Sequence, residues 1–350
     1  KTPSELQQHL QTSINTQTPL KIVGHGDSYN TIFHTDHHLV SLKHLNTVLD
    51  IDSQAETITV EAGTSVPDAI HAAADKGLGF SNLGTSMFDT CAGACFTGHH
   101  GSGLTYGILS DHLLSFDLLT GTGKTLTISK GDWLYDALGV HLGAAGIVTN
   151  LTLKLEPRFK LKQHSHYMPF NECLTNYNHI LATHDHVKFI WAPHTNDIQC
   201  WVADRTDEPC SSWLSNQLSL YRDGIGVNNV LHALMLYPAR VFPGFIKPIN
   251  RFLSRYFLHP TQTRVAWAED IFYLPHLMKQ DAVEYAIPAA QTAAFLQDLR
   301  SLIESEFHVQ FPIEIRFVKE DNFWLSPAYK TPMCYVGTKS HLLPGINFNY

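Results

Sequence analysis

A stretch of glycines and other small residues at positions 91–103 constrains the fold of this chain more than any other feature. It reads C-A-G-A-C-F-T-G-H-H-G-S-G, and an apolar run follows at 113–119. Glycine is needed where the backbone adopts a positive φ or lies against a ligand. A series of such positions can direct backbone N–H groups to one side, as in phosphate-binding sites. Taken alone, the stretch fits a glycine-rich turn between strands equally well.

Three further loops of small residues change that balance. They occupy 24–28, 84–86 and 143–150, and each lies at the end of a predicted strand or the start of a predicted helix. None matches the G-x-G-x-x-G or P-loop pattern. Together with 91–103, they indicate one long, phosphate-bearing ligand held by several backbone turns. A dinucleotide such as FAD is long enough to contact all four.

Composition excludes several classes of protein. The 350 residues are 44% hydrophobic and 16% charged, which is typical of a well-packed enzyme of two domains. The net charge of −8 and the lack of a Lys/Arg run argue against a nucleic-acid partner. The six cysteines form no C-x-x-C pair, and no carboxylate or cysteine set completes a ligand shell around the clustered histidines. The sequence therefore predicts free thiols in the cytoplasm and no metal site.

The order of predicted elements indicates an α+β fold. Composition shifts near residue 160, and we predict domains at 1–158 and 159–350. Hydrophobic periodicity predicts the following elements: strands at 20–23, 39–42, 46–51, 57–62, 113–119, 124–128, 151–155, 188–192, 198–203 and 309–317, and helices at 66–76, 132–138 and 289–306.

The apolar segment 230–258 has two interpretations. It contains no run long enough to span a membrane, because prolines and basic residues interrupt it. It could form a buried helical hairpin, which is the commoner fate of apolar helices. Alternatively, it could rest on a membrane surface with its basic residues at the headgroups.

Residues 22–29, which read I-V-G-H-G-D-S-Y, resemble the V-G-x-G-H-S-F loop of the vanillyl-alcohol oxidase/p-cresol methylhydroxylase (PCMH-type) flavoproteins. The loops at 60–64, 84–85, 97–103 and 142–149 continue in that family's order. The second half resembles the sugar-1,4-lactone oxidase branch, which includes gulonolactone, galactonolactone and D-arabinono-1,4-lactone oxidoreductases. Its matching pieces lie at 230–258, 284–288, 311–317 and 324–327.

The resemblance implies an FAD-binding domain of two subdomains, followed by an α+β substrate domain with an antiparallel sheet. It places Glu314, Arg316 and His100 at the reaction centre. Without the family context, Glu314 and Arg316 would be read as a surface ion pair. The residues that it assigns to the cofactor are Gly24, His25, Gly26, Asp27, Ser28, Gly84, Thr85, Gly93, Thr97, His99, His100, Gly101, Ser102, Gly146, Ile147 and Val148.

Three departures from the family pattern matter. Many relatives bind the flavin covalently through the histidine of G-H-S, but Asp27 occupies that position and predicts non-covalent FAD. The branch usually carries an H-W-x-K motif near its end, which is absent up to Tyr350, and we expect that the C-terminal end is incomplete. His99 stands where a smaller residue is usual, which leaves oxidase and dehydrogenase activity both open.

These residues predict an FAD-dependent oxidoreductase that oxidises a secondary alcohol of a sugar-1,4-lactone or related polyol. Hydride would pass to flavin N5, and O₂ or another acceptor would reoxidise the flavin. Two alternatives stay open. One is a flavoenzyme that oxidises a lipid-linked sugar as an epimerase component, and the other is a catalytically weak FAD-binding partner protein.

Overall fold

The computed structural model describes residues 3–26, 28, 31–85, 88–212, 242–273 and 280–341. The chain forms two compact units, and both are discontinuous in sequence. The first contains the residues up to Gly101, Tyr106–Phe159 and Glu320–Lys330, and the second contains Ser102–Thr105, Lys160–Lys319 and the residues from Thr331. The domain boundary at 158/159 stays a prediction, although the chain passes between the two units close to it.

The first unit is built on a five-stranded antiparallel sheet with strand order β3-β4-β8-β6-β7. A parallel pair, β1 and β2, and a short pair, β5 and β9, accompany it. Its strands are β1 Leu20–Val23, β2 His38–Ser41, β3 Val48–Asp52, β4 Thr57–Glu61, β5 Leu78–Gly79, β6 Leu113–Leu119, β7 Thr125–Ser129, β8 Ile147–Lys154 and β9 Glu156–Pro157. Its helices are α1 Pro3–Thr16, α2 Val66–Asp75, α3 Cys91–Phe96 and α4 Tyr135–Leu138.

Helix α2 shows how local sequence sets these bounds. The Ser65 hydroxyl accepts a hydrogen bond from the Asp68 N–H at 3.1 Å and caps the helix. Its buried residues are Val66, Ala69, Ile70 and Ala73, spaced as one helical face. The helix ends before Gly77, whose φ of 73° favours glycine. The predicted helix at 66–76 is therefore confirmed to within one residue.

Two predicted loops contain regular structure instead. Residues 91–96 of the glycine-rich stretch form α3, with the Thr90 hydroxyl as its N-cap. Residues 147–150 belong to β8, because Ile147 pairs with Leu119 and Asn150 with Glu61, so both neighbouring strands draw this segment into the sheet. The prediction was wrong there because small residues at 143–146 obscured the start of the strand.

The second unit is built on a seven-stranded antiparallel sheet with strand order β13-β10-β12-β11-β15-β16-β14. The antiparallel sheet expected for this half is therefore confirmed. Its strands are β10 Lys160–Pro169, β11 His186–Trp191, β12 Asp197–Thr206, β13 Gln262–Trp267, β14 Gln280–Pro288, β15 Ile313–Val318 and β16 Met333–His341. Its helices are α5 Phe170–Thr183, α6 Ile246–Leu253, α7 Ala268–Phe272 and α8 Thr292–Glu306, with a π-helical turn at Ser254–Leu258.

The two faces of this sheet differ in character. Helices α5 and α8 cover one face with a continuous apolar core, in which Phe189, Trp191, Ile315 and Phe317 are almost fully buried. Neighbouring residues in a strand point to opposite faces. Lys188, Glu314 and Arg316 therefore lie on the other face, which we call the polar face. The α+β fold class is confirmed.

No helix in the described part of the chain is long and apolar enough to cross a membrane. Within the same residues, no group of three or more His, Cys, Asp or Glu side chains is arranged to hold a metal ion.

Candidate functional site

Two glycines bring the loops of the first unit into close contact. A Cβ atom on Gly101 would lie 2.1 Å from Asn82 Oδ1 and 2.6 Å from the Leu83 carbonyl oxygen. A Cβ on Gly84 would lie 1.7 Å from His99 Nε2. Only glycine fits at distances this short. The structure therefore places Gly84 against His99, and Gly101 against residues 82–83.

The two adjacent histidines of this segment have different surroundings. His99 lies over Gly84, and its Nδ1 is 3.3 Å from Asp89 Oδ2, in an ion pair whenever the ring is protonated. A small cavity opens beside it, lined by Gly84, Asp89 and His99 among others. His100 is buried, with Nδ1 3.0 Å from the Gly101 carbonyl oxygen. Of the two histidines, only His99 is among the residues that line this cavity.

The loop at 24–28 contacts the residue that precedes and caps α3. A Cβ on Gly24 would lie 2.5 Å from Thr90 Oγ1, and Gly26 has a φ of 76°. Exposed His25 places Nδ1 2.9 Å from the Phe88 carbonyl oxygen. Ser28 is also exposed. Asp27 and Ser86 lie outside the described residues.

Three other predicted cofactor residues take part in local structure. The Gly93 N–H donates to Thr90 Oγ1 at 3.0 Å, and the Thr97 hydroxyl donates to the Gly93 carbonyl oxygen at 2.8 Å. Both bonds belong to α3 and its ends, so Thr97 offers no free hydroxyl proton. Gly146 has a φ of 149° and lies against the Leu119 carbonyl oxygen.

Ile147 and Val148 are buried and pair with β6. Their side chains pack in the core, so any contact with a ligand would be made through their backbone.

A buried amide beside these loops was not foreseen from the sequence. Asn82 is 3% exposed, yet neither its Nδ2 nor its Oδ1 has a hydrogen-bond partner among the described residues. Leaving both a donor and an acceptor unpaired costs free energy, about 1–3 kcal/mol for each group. A heterocycle that presents a donor beside an acceptor, as the flavin pyrimidine ring does, would satisfy both atoms. The first unit therefore fits FAD.

The predicted catalytic pair of the second unit lies at the centre of the polar face. The Arg316 guanidinium donates to Glu314 Oε2 at 2.7 Å. Both residues are on β15, which lies between β11 and β16. Arg316 is 8% exposed, so the pair is largely withdrawn from water. The pair is therefore not the surface ion pair that the sequence would suggest without the family resemblance.

Lysine and tryptophan side chains complete the cluster. Lys188 pairs in register with Arg316, and its Nζ lies 3.8 Å from Glu314 Oε1. The same nitrogen lies 4.5 Å from the centre of the Trp201 ring on β12, in cation–π geometry. The alternation of Lys188 between apolar Val187 and Phe189 was the available signal for its position, but that alternation does not reveal the neighbouring strand.

The charges in this cluster shift one another's protonation. Burial would raise the pKa of Glu314, but the positive charges of Arg316 and Lys188 outweigh that effect and hold the pKa well below its ordinary value. Burial lowers the pKa of Lys188 to about 8, partly opposed by Glu314. Burial also lowers the pKa of Lys339 on β16.

Ser102 lies between two strands of the second unit. Its hydroxyl donates to the Val187 carbonyl oxygen and accepts from the Phe317 N–H at 3.2 Å. The Gly103 N–H donates to the Phe317 carbonyl oxygen at 2.8 Å. The hydroxyl is thus engaged by β11 and β15, next to Lys188 and Arg316, and the cofactor role expected for Ser102 stays a prediction.

Comparisons with known proteins agree with both halves of this description. Residues 1–129 match the FAD binding domain family, and residues 151–349 match the family described as D-arabinono-1,4-lactone oxidase. The L-gulonolactone oxidase of Scyliorhinus torazame is 31% identical over 346 residues, which cover 96% of this chain and 76% of that protein. The L-gulono-1,4-lactone dehydrogenase of Mycobacterium tuberculosis is 28% identical, covering 94% of this chain and 75% of that protein.

A solved structure shows the same fold at low identity. Cholesterol oxidase from Brevibacterium sterolicum superposes with a TM-score of 0.77 over 99% of this chain and 76% of its own, at 17% identity. The expected PCMH-type fold is confirmed. With the family match over more than half of its length, the chain belongs to the D-arabinono-1,4-lactone oxidase family of FAD-dependent oxidoreductases.

Proposed function

We propose that this oxidoreductase converts a secondary alcohol of a sugar-1,4-lactone, or of a related polyol, to a ketone. The observation that carries the proposal is the largely buried ion pair of Glu314 and Arg316, which faces the polar side of the sheet beside two lysines. The named relatives act on lactones, and they give no support to a lipid-linked sugar or to a catalytically weak partner protein.

The two halves of the pair suit different tasks. As the substrate hydroxyl loses its proton, negative charge develops on its oxygen, and a fixed guanidinium such as Arg316 can stabilise that charge. Glu314 accepts hydrogen bonds from the remaining hydroxyls and orients them. Its lowered pKa makes it a weak base, so we assign it to orientation rather than proton transfer.

FAD, when bound, would act as the hydride acceptor. We propose that its pyrophosphate is held by 24–28, and that Gly84, Thr85, Gly93 and Thr97 line the same groove. His99, His100, Gly101 and Ser102 would lie by the flavin ring, with Gly146, Ile147 and Val148 by the adenine or the ring system. Asn82 is added to this set by its two unpaired amide atoms.

We propose that FAD is bound without a covalent link, because Asp27 replaces the usual histidine. Acid or heat precipitation of the purified protein should leave the yellow colour in the supernatant. Flavin fluorescence that stays with the pellet after washing would contradict this proposal.

The test of substrate class is anaerobic mixing of the flavin-loaded protein with a panel of aldono-1,4-lactones and alditols. We expect loss of the oxidised flavin absorbance with at least one lactone, at a rate that saturates with concentration. Photochemical reduction of the same sample is the control for a competent flavin. Competent flavin that no member of the panel reduces would overturn the proposed function.

The electron acceptor is a separate question. His99 lies over Gly84 beside the small cavity, and we propose that its ring restricts access of O₂ to reduced flavin. His99→Ala should then increase the rate of reoxidation by O₂ without changing anaerobic reduction by substrate. An unchanged reoxidation rate would contradict this role of His99.

We also propose a cytoplasmic location with peripheral membrane contact through 230–258. Within that segment, residues 230–241 lie outside the described residues, while α6 and its flanks expose Phe242, Phe245, Phe252 and Tyr256 near Lys247, Arg251 and Arg255. This combination favours an anionic lipid surface. Co-sedimentation with vesicles, with and without anionic lipid, tests it, and no sedimentation with either kind would contradict it.

A further inference from the structure

Lys188 has unused hydrogen-bonding capacity at the centre of the polar face. Its side chain is 13% exposed, and its closest carboxylate oxygen, Glu314 Oε1, is 3.8 Å away, beyond hydrogen-bond distance. Its other contact is the Trp201 ring at 4.5 Å. Within the described residues, its amine therefore makes an ion pair and a cation–π contact but no hydrogen bond. A buried amine placed in this way is ready to bond to a ligand.

The backbone that carries Lys188 is fixed on both sides. The Ser102 hydroxyl donates to the carbonyl oxygen of Val187, the preceding residue, and accepts from the N–H of Phe317. Lys188 also pairs across the strands with Arg316 on one side and Trp201 on the other. The backbone of Lys188 is consequently held beside the Glu314 and Arg316 pair, and the contacts with the Trp201 ring and Glu314 keep its amine there.

The neighbouring groups decide which side chain suits a proton acceptor. Glu314 is unsuitable, since Arg316 and Lys188 hold its pKa far below neutral pH. Arg316 does not lose its proton in proteins. Burial lowers the pKa of Lys188 to about 8, so a useful fraction of the amine is neutral near neutral pH. A general base is most effective when its pKa is close to the working pH.

We propose that Lys188 is the general base of the oxidation, accepting the proton of the substrate hydroxyl while the hydride leaves the same carbon. This inference rests on the proposed function. In the step, the O–H bond breaks and its proton forms a new N–H bond on the neutral amine. The C–H bond breaks and its hydrogen leaves with two electrons for the bound flavin. The alcohol becomes a ketone, the flavin is reduced, and Lys188 becomes an ammonium.

Charged groups on β15 and β16 act on this amine. Glu314 favours the protonated form, whereas Arg316 and Lys339 favour the neutral form. Glu284 on β14 acts in turn on Lys339. Because positive groups outnumber Glu314 around it, the ammonium formed in each turnover returns its proton readily.

The experiment compares Lys188→Met, Lys188→Arg and wild type, with Lys162→Met as the control. Lys162 is an exposed lysine whose ammonium pairs with Glu208 Oε1 at 2.7 Å, so its loss should leave the reaction unchanged. Flavin content and melting temperature are measured for every variant. Anaerobic flavin reduction by a lactone is then followed across neutral and alkaline pH.

For wild type, we expect the limiting rate of reduction to rise with pH through a pKa near 8, because the neutral amine is the active form. Both Lys188 variants should lose about 100-fold or more in that rate. They should also lose the rising limb of the pH profile, while the lactone dissociation constant changes little. In a further variant, Lys188→Ala, a small added amine such as methylamine should restore part of the rate.

Several outcomes would overturn the assignment. A Lys188→Arg variant with the wild-type rate would show that charge, not proton transfer, is what the position supplies. A change in substrate dissociation alone would make Lys188 a binding residue. Wild-type flavin that no lactone reduces would instead refute the proposed function, and the two failures are therefore distinguishable.

Discussion

The candidate sites of the two units are built from different chemical groups. In the first unit, glycines in the candidate cofactor loops leave room for neighbouring side chains and carbonyl oxygens that a methyl group would displace. In the second unit, the candidate site consists of long charged side chains gathered on one face of a sheet. Backbone contacts suit a cofactor that stays bound, whereas charged side chains can respond to a substrate whose charge changes during reaction.

The two candidate sites should also differ in the substitutions that they tolerate. A glycine contact fails when any side chain is added, because no rotamer relieves a clash with Cβ. A charged cluster fails when one partner is removed, because the remaining charge is left buried without compensation. The following variants test this contrast.

The largest expected effect is at Arg316. Arg316→Met should lower the rate of anaerobic flavin reduction by about 1000-fold, since it removes the cation proposed to stabilise the developing oxyanion. Glu314→Gln should cost less, about 100-fold, because it loses orientation but leaves the guanidinium. Flavin absorbance should be normal in both variants. Loss of bound flavin from either variant would contradict the assignment of cofactor binding to the first unit alone.

A glycine pair tests the first unit. Gly101→Ala should abolish or greatly weaken FAD binding, because its Cβ would lie 2.1 Å from Asn82 Oδ1 and would displace the loop at 82–85. Gly121→Ala is the matched control, since a Cβ there meets no atom within 4 Å. Flavin dissociation constants from fluorescence titration measure both. Equal FAD affinities in the two variants would indicate that the close contact at Gly101 is not needed for FAD binding.

Asn82 offers a smaller effect on the same unit. Asn82→Leu replaces a buried amide with an apolar group of similar size, so the apoprotein should be as stable as wild type or more so. FAD affinity should fall by about tenfold if the amide gains two hydrogen bonds from the flavin. Urea unfolding of the apoprotein and flavin titration together separate these effects. An apoprotein destabilised as much as the holoprotein would indicate a purely structural amide.

The smallest predicted effect is on the pH dependence of stability, and it concerns one buried histidine in each unit. His141 and His186 are buried, and burial lowers the pKa of each to about 4. An unfolded histidine titrates near pH 6.5, so the unfolded state binds more protons between about pH 4 and 6.5. Stability should therefore fall as pH decreases through that window. Melting temperatures of His141→Gln and His186→Gln should depend less on pH there than those of wild type.

The sequence predicted the parts of the molecule that depend on local signals. The glycine loops, the helix at 66–76 and the alternation over 313–317 each carry their own pattern, so the candidate cofactor loops and the candidate catalytic pair could be named in advance. Lys188, Trp201 and Asn82 could not. Lys188 meets Glu314 only through the pairing of β11 with β15, two strands that lie more than 100 residues apart in the sequence. Asn82 became notable only when its burial and lack of partners were known.

The short excursion of the chain at Ser102–Thr105 has a practical consequence for dissecting the protein. A fragment that starts at Lys160 would omit the hydroxyl and the N–H that satisfy Val187 and Phe317 in two central strands. A fragment that ends at Phe159 would omit Glu320–Lys330, where the Trp324 N–H donates to the Asp136 carbonyl oxygen. Because both units are discontinuous in sequence, dividing the chain at one point yields neither unit complete. Each unit must therefore be studied within the whole chain or in a circularly permuted protein.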